Sequence, residues 1–257
     1  MKTQKITAFI GKTGAVASFV AASALTAGFL APSASAVSLV PDKEGEVNVG
    51  LGACLSPSSE TGNPCKYLEL SPWISDVASL IDDSTGTKSR LFVDKAGTKN
   101  TYGAIQFKAF DVGTPVSEFW FRPAAMMADG VTPLLEKGQL EVGTYKFDFA
   151  KTISSLTVRW FDTEYKDDTS FVATGIFGDV SGVVPAGPDR NIYEQTFTDV
   201  SSITLNLGER GGRFGTGDGV NFQIEKQVPE PGTAAGLGAL AFMSTLGLRK
   251  RNKKANS

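Results

Sequence analysis

The sequence predicts an all-β fold, an antiparallel β-sandwich or jelly roll built as a single domain, on three observations. Apolar and polar residues alternate in Tyr145-Lys-Phe147-Asp-Phe149, Ile203-Thr-Leu205-Asn-Leu207 and Val220-Asn-Phe222-Gln-Ile224, so each stretch carries its apolar side chains on one face. Turn-forming clusters punctuate the chain at Asp82-Asp-Ser-Thr-Gly86, Ala186-Gly-Pro-Asp189 and Gly215-Thr-Gly-Asp-Gly219. Few stretches carry a helical period, and no repeat of solenoid or propeller length is present. Many short strands spaced in this way belong to packed antiparallel sheets.

In chain order, further strands are expected at Leu91 to Val93, Ile105 to Phe110, Glu118 to Phe121, Leu156 to Phe161 and Phe171 to Ala173. Brief helices are expected around Ser75–Ile81 and Ala124–Ala128. Trp160 and Phe161 are adjacent in a strand and point to opposite faces, which predicts one inside and one outside.

Both ends of the 257-residue chain differ from its middle. Residues 1–36 have the layout of a cleavable secretory signal. Lys2, Lys5 and Lys12 form a positive start and Gly14 to Ala31 an apolar, helix-prone core. Ala34-Ser35-Ala36 then supplies the small-x-small pattern for a cut before Val37. Between 37 and 228, 17 Lys and Arg face 26 Asp and Glu, a net charge of −9 that the whole-chain value of −2 conceals. An acidic body argues against nucleic acid as a partner, because that affinity comes largely from Lys and Arg on phosphates. Its length suits one domain with a sizeable core.

After Val228-Pro-Glu-Pro231-Gly232 comes Thr233 to Leu248, sixteen residues without a charge, and then Arg249-Lys-Arg251-Asn-Lys253-Lys254. As a helix the apolar run covers about 24 Å, short but sufficient for a thin or locally adapted bilayer. Arg249, Lys250 and Arg251 would hold its end on the cytoplasmic side and leave the β domain outside. Gly236, Gly238, Ala239, Ser244 and Gly247 suit close packing against another membrane helix.

This three-part tail, 229–257, resembles the PEP-CTERM sorting signal of Gram-negative bacteria and cyanobacteria, matching it in the order and spacing of Pro229-Glu230-Pro231, the apolar run and the basic cluster. The resemblance implies transient insertion in the inner membrane and processing near Pro229-Glu-Pro231 by an exosortase, a membrane-embedded protease. It also implies delivery to the cell surface or an exopolysaccharide matrix. Two prolines around Glu230 cannot continue a helix or a central strand, which keeps such a motif extended. Leu140-Glu-Val-Gly143 leading into Tyr145-Lys-Phe-Asp-Phe149, then Trp160-Phe-Asp-Thr-Glu-Tyr165 and Leu205-Asn-Leu-Gly208 through Thr216-Gly-Asp-Gly219, is similar to the LEVG family of cyanobacterial PEP-CTERM proteins. That second resemblance spans roughly 140–231 and implies no particular activity.

The chain has no histidine, which removes Ser-His-Asp and Cys-His catalysis and His-ligated metals. Cys54 and Cys65 are expected to form a disulfide in an exported protein, worth about 2–3 kcal/mol for so short a loop. Their spacing suits neither a redox pair nor a zinc site. Gly11-Lys-Thr13 lacks the first glycine of a phosphate loop, since position 6 is Ile6. The glycine-rich run Gly208 to Gly215 reads as a hairpin loop in which Arg210 and Arg213 are available to an acidic polysaccharide.

Asp162, Glu164, Asp167 and Asp168 place four hard-oxygen donors within seven residues, a calcium candidate weighed against a solvated acidic loop. Trp73, Trp120, Trp160, Tyr165 and Tyr193 are either a sugar-stacking platform or core, with core favoured. No cofactor is expected. The function these features favour is a non-enzymatic surface or matrix protein whose sandwich meets carbohydrate. The alternative is an extracellular polysaccharide hydrolase using paired carboxylates, which needs no histidine.

Overall fold

Strands and their connections make up the whole of the described residues (35–55, 65–108, 117–135, 140–164, 167–211 and 219–228) of a computed structural model of the chain. In order they are β1 (Ser35–Ser38), β2 (Gly45–Val47), β3 (Ile74–Leu80), β4 (Ser89–Lys95), β5 (Asn100–Tyr102) and β6 (Ile105–Phe107). There follow β7 (Phe119–Ala125), β8 (Gly143–Phe161), β9 (Ser170–Gly175), β10 (Gly178–Val183), β11 (Ile192–Leu207) and β12 (Asn221–Val228). The main sheet runs β10-β9-β11-β8-β12-β7-β4-β2, with β1 on β12 and β3 on β8, and every pairing is antiparallel. β5 and β6 form a separate hairpin.

The long strands β8 and β11 organise this sheet. The first part of β8, through Phe149, lies between β11 and β3, and Leu156–Phe161 lies between β11 and β12. Phe147 and Trp160 would stand about 43 Å apart on a straight strand. Yet the Phe147 ring is 5.7 Å from Phe222, whose register partner is Trp160. β8 is therefore bent, and the two halves of the sheet face each other across one core. The bend falls at Ala150-Lys-Thr152, three consecutive exposed residues. β11 bends beside it through a register shift between Val200 and Ser202, next to Asp199 at φ 54°. Gly175 lies against this shift, where a Cβ would come within 2.7 Å of the Asp199 carbonyl oxygen.

The alternating stretches behave as their patterns predict on the core side. Tyr145, Phe147, Phe149, Ile203, Leu205, Leu207, Val220, Phe222 and Ile224 are all buried. Four expectations need correction. Residues 75–81 and 124–128 are not helical. β3 completes the ladder beside Thr144–Phe149, and Ala124 and Ala125 pair with Arg90 and Ser89, so tertiary pairing overrides the helix preference of an Ala/Met run. The strand begun at Ile105 ends at Phe107. Trp160 and Phe161 do point to opposite faces, but both are buried, because Phe161 packs on Trp120 at 6.0 Å and on Ala96 behind the sheet.

The expected leader helix, membrane helix and cytoplasmic basic residues lie outside the described residues. Among the described residues, no helix is long and apolar enough to cross a membrane.

The back of β4 and β7 is also covered. The β5–β6 hairpin lays Tyr102, Ile105 and Phe107 over Phe92, Ala124 and Met126. Charged residues share this covered face. Arg90 Nε donates to the Gly130 carbonyl at 2.8 Å, Nη2 to the carbonyls of Leu51 (3.3 Å) and Ala53 (3.1 Å), and Nη1 to Glu46. Arg122 donates to Asp94 at 2.7 Å and to Glu141 at 2.7 and 2.8 Å, and stacks over Phe107 at 4.3 Å. Burial pushes the Glu46 and Asp94 carboxyls above their usual range, against the pull of their arginines. Arg122 is raised despite its burial, because Glu141 and Asp94 favour its charge.

The Leu140-Glu-Val-Gly143 motif serves this packing. Leu140 and Val142 are buried, Glu141 neutralises Arg122, and Gly143 fits beneath Ser89, whose Cβ would lie 2.6 Å from an added Cβ. Removing one member of a buried ion pair strands the other, so Glu46→Ala is expected to destabilise the protein by about 3–5 kcal/mol in urea denaturation. Glu69→Ala breaks the exposed Lys66–Glu69 pair and is expected to leave the midpoint unchanged.

Candidate functional site

A cleft of about 1180 Å³ opens between the chain leading into β2 and the segment Cys65–Ser71, with Tyr102 at its base. The Leu68 N–H donates to the Glu46 carbonyl at 2.9 Å, which fixes one wall to β2. The Cys54–Cys65 disulfide fixes the other end, its Cα atoms 5.8 Å apart, and agrees with the expected pairing. Arg90 holds the same stretch through the Leu51 and Ala53 carbonyls. Asp42, Lys43, Glu44, Lys66, Tyr67 and Glu69 line the cleft. Glu44 is oriented by the Lys95 N–H at 3.2 Å and by the Thr98 hydroxyl, and Tyr67 donates to the Gly52 carbonyl. Burial raises the Tyr67 phenol, with the Glu46 charge adding to it. Hydroxyl, carboxylate and ammonium groups beside an aromatic ring suit a polyhydroxylated ligand. Sequence reasoning missed this cleft, since its walls meet only once Arg90 and the disulfide have placed the 51–55 segment.

The acidic loop is rearranged relative to expectation. Asp162 and Glu164 converge with Asp189, not with Asp167 and Asp168, and one oxygen from each of the three lies within 4.8 Å of the others. The loops 162–164 and 185–191 are locked together. Asp162 N–H donates to the Asn191 carbonyl at 2.9 Å, Thr163 N–H to Asn191 Oδ1 at 2.8 Å, and Arg190 N–H to Asp162 Oδ1 at 2.7 Å. Burial first, then repulsion from Asp189, raises Asp162; burial and then Asp162 raise Glu164. With one converging oxygen apiece, the three carboxylates would leave the rest of calcium's six to eight ligands to their second oxygens, backbone carbonyls or water. A melting shift with millimolar Ca²⁺, lost in Asp189→Asn, would assign a cation site; no shift would leave a solvated acidic loop.

Asp168 turns instead toward Glu209. Burial, its hydrogen bond with Glu209 and the charges of Glu209 and Asp167 push its carboxyl up to about 6. Of the aromatics, Trp120 and Trp160 are fully buried and Trp73 and Tyr193 pack against the core, so these four described residues form no stacking platform; Tyr165 lies outside the described residues. Arg210 is tied by its backbone N–H to Ser84 Oγ at 3.1 Å, and Arg213 lies outside the described residues. At the tip of the β9–β10 hairpin Ile176 and Phe177 stand 64% and 86% exposed beside an edge strand.

Of the expected processing residues, Ala36 and Val37 lie in β1, which begins two residues upstream of the anticipated cut. β1 pairs Ser35, Ala36, Val37 and Ser38 with Val228, Gln227, Lys226 and Glu225. Ala34, Pro229, Glu230, Pro231, Arg249, Lys250 and Arg251 lie outside the described residues.

The pH dependence follows from Asp168. Its native pKa of about 6 exceeds the ordinary 3.8, so the folded state holds a proton that the unfolded state has released. Stability therefore falls as pH rises through that window and stays lower above it. Asp168→Asn is expected to melt with the wild type below pH 4 and roughly 1–2 °C above it at pH 7, with solvent screening allowed for.

No protein-family model matches the chain, and no curated protein does. Among solved structures, it is similar to the enzymatically active domain of bacteriophage CBA120 tailspike protein 4. The identity is 10% and the TM-score 0.27, over 55% of this chain and 19% of that one.

Proposed function

We propose that this chain is an exported cell-surface or exopolysaccharide-matrix protein, sorted by a PEP-CTERM-type tail of the kind found in the LEVG group. Its β domain, a jelly-roll-like sandwich, is non-catalytic and meets carbohydrate at the cleft beside Cys54–Cys65. The protein leaves the cytoplasm on its leader, is held transiently in the inner membrane by residues 233–248, and is released by an exosortase acting near Pro229-Glu-Pro231.

The observation that carries this reading is the β1–β12 register. Ser35 and Ala36, the last two residues of the expected leader, face Val228 and Gln227, the last two residues before the expected tail. The two ends of the described domain are thus adjacent, which suits a domain tethered to a bilayer first by one end and then by the other. The disulfide suits an oxidising compartment and the net −9 of residues 37–228 suits an extracellular medium. The cleft's hydroxyl and charged lining supports a glycan ligand.

Intact-mass measurement on protein from the host envelope tests the sorting. The expected species begins at Val37 and ends near Glu230; one running from Met1 to Ser257 would overturn it. On a glycan array the released protein is expected to bind without liberating reducing sugar, and turnover lost on one carboxylate substitution would make it a hydrolase instead.

A further inference from the structure

Lys226 is the last residue of β12 held from both sides. It pairs with Leu156 of β8 and Val37 of β1, and its ammonium lies 3.6 Å from the Trp73 ring centroid. Beyond it the support is one-sided. Among the described strands Gln227 pairs with Ala36 alone and Val228 with Ser35 alone, because the β8 ladder stops at Lys226 and β7 meets β12 at Phe222. β1 is exposed at all four positions, so backbone pairing is its main hold.

Those two partners are the residues that a leader cut removes. Hydrolysis of the Ala36–Val37 peptide bond consumes one water and leaves a carboxylate on Ala36 and an ammonium on Val37. Ser35 and Ala36 then depart with the leader. The remaining arm stays in place: Val37 and Ser38 keep their partners, Leu39 N–H donates to the Ile224 carbonyl at 2.8 Å, and Leu39 and Val40 are buried.

We propose that leader removal unlocks the junction between the β domain and the tail. The last two leader residues act as a strand partner that keeps Gln227 and Val228 in the sheet, and their loss frees the chain directly ahead of Pro229-Glu-Pro231. Proteases take their substrates as extended strands, so residues committed to a ladder must leave it before they enter an active site. Before the leader cut, the ordered sheet reaches Val228, the residue adjoining Pro229; afterwards it ends at Lys226. The two cuts are thereby ordered, leader first and tail second. The ordering rests on the proposed reading of both ends, whereas the unlocking rests on the register.

The full chain expressed in its host in three forms tests this. The wild type is expected to lose its leader and then its tail in a pulse-chase followed by intact mass. Ala34→Asp blocks the leader cut without touching the paired residues and is expected to slow tail release about tenfold, the effect of roughly one to two net hydrogen bonds. Pro32→Ala/Ala36→Val moves the cut to Ala34–Ser35, so the leader is lost but the two partners stay. It is expected to be as slow as Ala34→Asp, and tail release at the wild-type rate in this variant would overturn the proposal. Should the wild-type N-terminus not be Val37, or the tail never be cut, the sorting reading fails instead. Amide exchange then decides the unlocking: Gln227 and Val228 are expected to exchange about tenfold faster in chains beginning at Val37 than in chains beginning at Ser35, and equal rates would refute it.

Discussion

The bend of β8 is the constraint on which the rest of the molecule depends. A strand of 19 residues is long enough to serve two sheet halves, and β8 does so by pairing with β3 early, β12 late and β11 throughout. Folding it back brings Phe147 onto Phe121 at 5.6 Å and onto Phe222 at 5.7 Å, and Trp160 onto Phe171 at 5.9 Å. None of these contacts exists on a flat sheet, so the apolar gain that holds the fold arises only once β8 and β11 have turned. Ala150-Lys-Thr152 is placed where the chain faces solvent and little packing is lost by bending, whereas the Val200/Ser202 shift lies among buried residues and turns the strand within the packed layer.

A second consequence is that β4 and β7 sit between two cores, and one of these is charged. Buried guanidinium groups are tolerated when each donor finds a partner. Arg90 reaches that condition by gathering Glu46, the 51–53 carbonyls and Gly130, segments remote in sequence. The arrangement adds less to net stability than to uniqueness, since an alternative pairing of these strands would bury arginines without acceptors. It also positions the candidate cleft, because the stretch that Arg90 holds carries Cys54, and the disulfide from Cys54 leads into the cleft wall.

The residues with a period of two were legible from sequence because one face of each meets the core, and Tyr145, Phe147, Phe149, Ile203, Leu205 and Leu207 are buried as their spacing requires. Legibility failed where both faces are covered. Asn221 and Gln223 occupy the nominally polar face of β12 and are buried, Gln223 donating to the Phe119 carbonyl at 2.8 Å and accepting from Arg159 at 2.9 Å. The Ala/Met run at 124–128 carries no strand signal, since its pairing is decided by Ser89 and Arg90 some 35 residues earlier. The acidic site was half legible. Asp162 and Glu164 were close in sequence, but Asp189 joins them through the Thr163–Asn191 bonds, which no local spacing encodes.

The pairing of residues 35–38 with 225–228 was not legible in the sequence, because β1 carries no apolar pattern and is held mainly by its neighbour's backbone. That weakness gives the pairing its consequence. A strand buried by Leu or Phe would stay put whatever happened to its outer residues; a fully exposed one stays only as far as its ladder extends. The anchored part of the arm begins at Leu39, beside Ile224. Among the described residues, Gln227 and Val228 depend on Ser35 and Ala36, the two residues that the proposed leader cut would remove. Under the proposed processing, this four-residue ladder loses its Ser35 and Ala36 pairs, at the end that adjoins residue 229.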